Sequence, residues 1–522
     1  MKGWVVSVRC RMNRLGIAFA LVVACGGVDA SAADSQVVTY EAFGAVGDGV
    51  ADDLPAICKA HEHANRNGLS VRSNPKATYH LGRQALTAVI ATNTDWGTSQ
   101  FIIDDSVEVD DHRKTLFEVR SLLKPAKLAI KRLKRDQKRL DVRPEQDCYV
   151  LVYDNNVKRY RRRGRNQNSG TAQRDCFILR RDGSIEGNID WDYSAVTRVV
   201  ANPMDQDRLT IRGGRFTTIA NQMRQDVGYN YWSRNIKILR SNTQVVGLEH
   251  RIKGEGEFGH PYSGFISVSE CANVTLRDCF ATGHKTYKTI GSTGQPVSMG
   301  SYDYTANSVV NFLMVGCRMD DILDRSLWGV IGTNFCKNIR LKDCVLSRMD
   351  THMGVSGRYE ILGCTLGHAG LNAIGRGRLV VEDSTLHGRS LVNLRSDYGS
   401  TWEGEVVINR CRWIPAAGSR TWPALLGVSN DGTHDFGYPC FMPKSIAIDR
   451  LLVDDSVVPS GYQGMYLLAD PDGNKQGDPA KRPFPYRLTE TIRIGTLKTA
   501  SGKPPQVSAD PWLRKSVSVI NK

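Results

Sequence analysis

Cys271-Ala-Asn-Val-Thr-Leu-Arg-Asp-Cys279 and Cys336-Lys-Asn-Ile-Arg-Leu-Lys-Asp-Cys344 are two copies of one phrase, and degenerate copies recur along the chain. The step falls at Ser241, Cys279, Cys317, Cys344, Cys364, Ser384 and Cys411, at intervals of 38, 38, 27, 20, 20 and 27 residues. Three and five residues before each marker stands an apolar pair, from Ile238 and Ile236 through Leu276 and Val274 to Ile408 and Val406. Period two predicts strands. A further apolar position two residues after most markers breaks that parity, so the chain must bend at the marker. Strand, bend, strand and return every twenty or so residues is one coil of a solenoid, which buries its apolar face only by stacking on its neighbours. The reading is an all-β, right-handed parallel β-helix. A leucine-rich horseshoe would need a helix or its equivalent in each repeat, and none is visible.

The chain has 522 residues and 41 % apolar content, enough for one long solenoid with appended pieces. Residues 1–32 read as a secretory signal: four basic residues, the apolar run Leu15–Ala24, then Ala30-Ser31-Ala32. That predicts a secreted or periplasmic protein, and Val22-Val23-Ala24-Cys25 admits lipoprotein anchoring at Cys25. No later stretch is apolar enough for a transmembrane segment. Beyond Cys10 and Cys25 there are 11 cysteines. Their spacing is not that of zinc ligands, and five share one rung position, which predicts reduced thiols stacked in the core.

Phe43-Gly-Ala-Val-Gly47-Asp48-Gly49-Val-Ala-Asp52-Asp53 leads into Leu54–Asn65, with Ile57, Ala60 and Ala64 on one helical face. Pro55 and the two aspartates suit a helix N-terminus. The glycine spacing is not a dinucleotide fingerprint, and two carboxylates would repel a pyrophosphate. This segment, with Tyr79-His-Leu81 as a first coil strand, resembles the opening of the pectate-lyase-like superfamily of right-handed parallel β-helices, which includes rhamnogalacturonase-type and polygalacturonase-type proteins. The resemblance implies a helix capping the open end of the solenoid. It implies no particular activity, because the fold hosts lyases, hydrolases, epimerases and phage adhesins. The polygalacturonase catalytic signatures are missing: Asn93-Thr94-Asp95 and Arg251-Ile-Lys253 occur in the wrong context.

The formal charge is +15, and its location is informative. Arg113 to Asp182 holds 21 basic against 8 acidic residues, which leaves the rest of the mature chain near neutral. This stretch lacks the coil phrase. It is expected to be a basic, β-rich insertion opening with an amphipathic helix, Pro125–Leu140. It would serve either as a solvated face or as a clamp for an anionic polysaccharide. Nucleic acid is not expected of an exported chain without an aromatic RNA motif. The domain reading is therefore signal 1–32, cap and first coils 33–122, insertion 123–205, main helix 206–470 and C-terminal extension 471–522. The sequence is silent on oligomeric state.

Residues equally spaced after the markers should project from neighbouring coils on one face. Four after the marker come His284, Asp321, Arg348 and His368. Arg348-Met-Asp350-Thr-His352 places three chemically active side chains on one side of an extended segment. Regular rungs would set Asp321 and Asp350 roughly 8 Å apart, suited to two carboxylates flanking a glycosidic bond with room for water. The catalytic candidates are thus Asp321, Asp350, His352, His368 and Arg348, with Lys285, Tyr287, Arg325, Asn372, His387, Arg389, Arg395, Asp397 and Trp402 as substrate-binding candidates. The leading expectation is a glycoside hydrolase acting on an acidic or decorated polysaccharide, without cofactor or metal. The alternatives are a polysaccharide lyase, in which the aspartates could hold Ca²⁺, and a non-catalytic carbohydrate-binding adhesin. Each candidate also has a plainer role: an aspartate after a bend satisfies turn amides, and successive histidines can stack as a ladder.

Overall fold

The computed structural model describes residues 37–521 apart from 328, 417–421, 458–459 and 473–480. The expected signal segment and Cys25 lie outside the described residues. Among the described residues, twenty-nine strands join one continuous parallel system within one compact unit. This is a parallel β-helix with a short helical cap. Among the described residues no helix is long and apolar enough to cross a membrane.

The repeated phrase spans two corners. Its asparagine adopts a left-handed backbone, φ 57° at Asn273 and 55° at Asn338, and the same corner recurs at Asn242 and Asn311. Asparagine tolerates this region and its amide adds a bond along the stack. Asn273 Nδ2 donates to Asn242 Oδ1 at 2.9 Å, Asn311 to Asn273 at 2.8 Å and Asn338 to Asn311 at 3.0 Å. The aspartate before the marker makes the next left-handed corner, at Asp278 and Asp343 before cysteine and at Asp383 before Ser384. Between the corners the apolar pairs align rung upon rung: Val274, Phe312, Ile339, Tyr359, Leu379 and Val406 share one row. The Ser241 copy departs from this alignment. Ile236 and Ile238 pair with Ile266 and Val268 on another face, and Thr243 and Val245 continue the row. Both strands carry the same alternation, so composition alone could not separate them. All eleven described cysteines are free and ten are buried.

The helix Leu54–Asn67 closes the N-terminal end, burying Leu54, Ile57, Ala60, His61 and Ala64. Asp53 does not cap it with its side chain. Instead its carboxylate accepts from Val46 and Gly47, closing the glycine turn, while Asp52 accepts from Leu54 N. At the other end Thr491–Thr499 and Ser518–Asn521 still pair in register, so the solenoid continues through the segment expected as an extension.

The insertion carries its own four-stranded antiparallel sheet from Cys148 to Pro203. The expected helix Pro125–Leu140 is absent. That segment runs extended over the sheet, bridging Tyr193 at Leu133 and Ser184 at Arg139, with Ile130, Leu133 and Leu140 buried. A helix would have crowded seven cations into four turns, and like charges oppose that. The extended path also lets one of them, Arg135, reach a solenoid carboxylate, as two arginines further along the insertion do. Arg135 meets Glu403 at 2.6 Å, Arg161 meets Asp435 at 2.5 Å and Arg163 meets Asp431 at 2.8 Å. Buried Lys337 reaches from the solenoid to Asp175 at 2.5 Å and to Asp190.

Candidate functional site

The strand Val345–Leu362 presents Arg348, Asp350 and His352 on one face, as period two requires. Its pairing with Gly329–Lys342 slips after Thr351. Thr333 opposes Thr351 and Asn334 opposes Met353, leaving His352 as the extra residue of a bulge, a device that re-aims a side chain. Asp350 itself opposes Gly332, which opposes Thr305 in the coil before.

That glycine shapes the site. Tyr302 lies two coils before Asp350, and its ring crosses Gly332 so closely that a Cβ there would sit 3.3 Å from three ring carbons. Across this gap Tyr302 donates its hydroxyl to Asp350 Oδ2 at 2.6 Å and lies 2.8 Å from His352 Nε2. His352 Nε2 is 2.9 Å from the same Asp350 oxygen, and Arg348 binds it at 2.9 Å. Arg395, just beyond Val392–Leu394, spans both Asp350 oxygens at 3.1 and 2.8 Å and both Asp397 oxygens at 3.2 and 3.0 Å. Arg162 of the insertion then binds Asp397 at 2.6 Å. Three guanidiniums thus face two carboxylates, leaving a net positive charge.

Burial pushes the Asp350 carboxyl up, but Arg348 and Arg395 outweigh it and hold it well below the usual carboxylate range. His352 is lowered by burial and by Arg395, against the pull of Asp350, so its ring is neutral at pH 7. Tyr302 is raised by burial and by the Asp350 charge, and keeps its proton. The cluster holds a fixed anion, a neutral imidazole and a protonated phenol in mutual contact.

A cleft of about 360 Å³ lined by Lys237, Ser267, Thr305, Asn307 and Asn334 reaches Tyr302 and His352 on one side. A cavity of about 650 Å³ lined by Arg162, Arg163, Arg165 and Lys288 reaches Asp397 on the other. Tyr231 lies near Tyr302 and Arg162, and burial raises its hydroxyl pKa.

The other expected residues are dispersed. Asp321 does not join Asp350: it is exposed at a left-handed turn. Counting from Cys317 aligned it with Arg348, but the chain leaves the coil after Met319 and rejoins it at Gly329, so the offset fell on a loop. Arg325 is exposed on the same loop. His368 pins that loop, its Nε2 lying 2.8 Å from Leu327 O. Lys285 and Tyr287 gather about Glu255 with His284, apart from Asp350. Asn372 extends the Asp350 row and accepts from Asn393 at 2.6 Å. His387 is half-buried on the rung opposite Ile414, and Arg389 is exposed. Trp402 is fully buried over Tyr359 and offers no face to a sugar. Sequence reasoning missed Tyr302 and Arg162. Gly332, after Gly329-Val330-Ile331 on the rung that Tyr302 crosses, is the signal that could have pointed to the tyrosine; nothing local marks Arg162. Among the described residues the one acidic triad spaced for a cation is Asp470, Asp472 and Asp510, none of it in this cluster.

The stacked coils, glycine turn and capping helix give this chain a parallel β-helix fold. No family model matches the chain. Over 92 residues, 16 % of this chain, it is 34 % identical to a capsule KL64-specific depolymerase of Klebsiella phage P510, of which that match spans only 9 %. Among solved structures it is similar to tailspike gp61 of Pseudomonas phage phi297, at 13 % identity over 90 % of this chain and 83 % of the tailspike, with a TM-score of 0.46. Tailspike gp49 of Pseudomonas phage LKA1 gives 10 % identity over 92 % and 84 %, with a TM-score of 0.42. These likenesses concern the course of the chain.

Proposed function

We propose that this protein binds an acidic polysaccharide along the groove and cleaves it by β-elimination beside a uronate. The observation that carries the reading is the Asp350 cluster, with a net positive charge around a neutral histidine and a protonated tyrosine. The capsule depolymerase relative favours a polysaccharide as the ligand. With Nε2–H donated to Asp350, His352 has its lone pair on Nδ1, which has no hydrogen-bond partner among the described residues. Nδ1 removes the proton α to the sugar carboxylate. The electron pair delocalises onto that carboxylate under the guanidinium charge, and the bond from the β-carbon to the glycosidic oxygen breaks. Tyr302 protonates the departing oxygen and is reprotonated through its bond to His352 Nε2.

Hydrolysis by Asp321 and Asp350 has less support. It needs one carboxyl protonated at working pH and a partner roughly 6.5–9.5 Å away, whereas Asp350 is held ionised and Asp321 stands in an exposed turn.

The test is turnover of a panel of polyuronates and acidic capsular polysaccharides. Elimination gives an unsaturated sugar absorbing in the near ultraviolet. Tyr302→Phe and His352→Ala should each lower its rate by about 10²–10⁴-fold, the usual contribution of a general acid or base. New reducing ends without that absorbance would sink elimination, and binding without turnover would make the protein a carbohydrate binder.

A further inference from the structure

The cavity beyond Asp397 has an unusual construction. Its roof is a clasp between two excursions from different parts of the chain: the insertion loop closed by the Arg162–Asn168 bridge, and the hairpin of Tyr287–Ile290 with Pro296–Met299. Thr293 donates to Arg165 O at 2.7 Å, Ser292 to Gln167 O at 3.2 Å, and Arg165 NH1 to Pro296 O at 3.1 Å. The clasp holds about 650 Å³ open over the solenoid, room for a sugar unit.

The charges lining it are unevenly satisfied. Arg162 and Arg163 have aspartate partners, at 2.6 and 2.8 Å. Arg165 donates only to a backbone carbonyl, and Lys288, exposed beside Ser298, has no carboxylate in reach among the described residues. Arg135 and Arg161 of the insertion likewise meet acids of the solenoid. Here two cations are left facing an open space, although an internal carboxylate would have stabilised them. A net positive, partly enclosed concavity concentrates anions, and a guanidinium fork matches a carboxylate.

We infer that this clasp is a dedicated subsite for a carboxylate-bearing sugar of the bound polysaccharide, adjoining the cleavage site through the shared residues Arg162 and Asp397, with Arg165 and Lys288 as its specificity-determining cations. The inference rests on the reading of the Asp350 cluster as the place where the polysaccharide is cleaved. It makes the basic insertion a reader of one acidic unit rather than a diffuse clamp. The polymer must then carry acidic groups on both sides of the cleaved bond or on consecutive units.

The test is equilibrium binding by the full chain carrying His352→Ala, titrated with a polyuronate hexamer and with the same hexamer after reduction of its carboxyl groups. Without further change it should prefer the acidic hexamer. Lys288→Gln, which breaks no contact in the clasp, and Arg165→Gln should together weaken acidic-hexamer binding about tenfold or more, as loss of charge-assisted contacts implies. Binding of the reduced hexamer should stay the same, and the salt dependence should become shallower. Lys288→Gln alone should give a clear part of the effect, which guards against a collapsed clasp. Equal affinity of the altered and unaltered chains for the acidic hexamer overturns the subsite, and so does failure to distinguish the two hexamers. The cleavage reading is scored separately by unsaturated product from the otherwise wild-type chain. Its absence together with a binding loss at Lys288 removes elimination and leaves the subsite standing.

Discussion

Asp350→Asn is the most demanding perturbation of this structure. The side chain is wholly inaccessible, and its carboxylate is contacted by Tyr302, His352, Arg348 and Arg395 within 3.1 Å. The two guanidinium side chains are only 10 and 12 % exposed, so solvent does little to screen them. Asparagine keeps the shape but removes the charge, and it turns a donor toward groups that are already donors. Breaking a buried pair from one side costs about 3–5 kcal/mol, against about 0–1 for an exposed pair. The upper range is expected here, because two cations lose one anion. Long solenoids need not unfold as one unit, so the readout is hydrogen exchange of the amides around Met349–Met353, together with urea denaturation. Asp350→Asn/Arg395→Gln should recover part of the loss, since it removes one orphaned cation, and the cycle should show coupling above about 1 kcal/mol. The sign with pH is fixed as well. Asp350's folded pKa is depressed, so its contribution is present above the ordinary carboxylate range and lost as pH falls through the depressed value. The asparagine variant should lack that acid-dependent step. A change below about 1 kcal/mol with unaltered local exchange would refute the buried counter-ion reading.

Three further outcomes follow from particular contacts. Because burial and Arg395 lower the pKa of His352, turnover should hold as pH falls through the ordinary histidine range and decline only below it, which a pH–rate profile reads directly. Gly332→Ala should press on the Tyr302 ring, lowering turnover while the circular dichroism stays native, and Tyr302→Phe should remove most of the difference between the two backgrounds. Lys337→Met leaves Asp175, whose carboxyl burial already pushes up, together with Asp190 and without their cation; a loss of about 3–5 kcal/mol is expected, read as early exchange in Thr171–Leu179.

How much of this was legible in the chain can be argued residue by residue. The phrase around Asn273 and Asn338 carries its own corners. Asparagine and aspartate accept left-handed backbone, cysteine fills the space beside the bend, and the apolar pair between them can be buried only by another copy of itself. Those are local requirements, so the coil, its rung spacing and the face shared by Arg348, Asp350 and His352 were readable without coordinates. The capping helix was readable for the same reason, although the job of Asp53 in the glycine turn was not.

What tertiary structure alone decided is which loops leave the coil and where they land. Asp321 misled because distance along the sequence equals distance around the coil only while the chain stays on it, and the segment after Met319 does not. Trp402 misled because a strand residue points in or out according to a parity set by its corner. Tyr302 reaches Asp350 by crossing the bare backbone of an intervening coil, and Arg162 reaches Asp397 from an insertion more than two hundred residues away. Sequence by itself thus determined the periodic part of this protein, because period-two burial and corner chemistry act between near neighbours. The charge balance of the cluster came only from the tertiary structure, because long-range ion pairs depend on positions in space that no local pattern encodes.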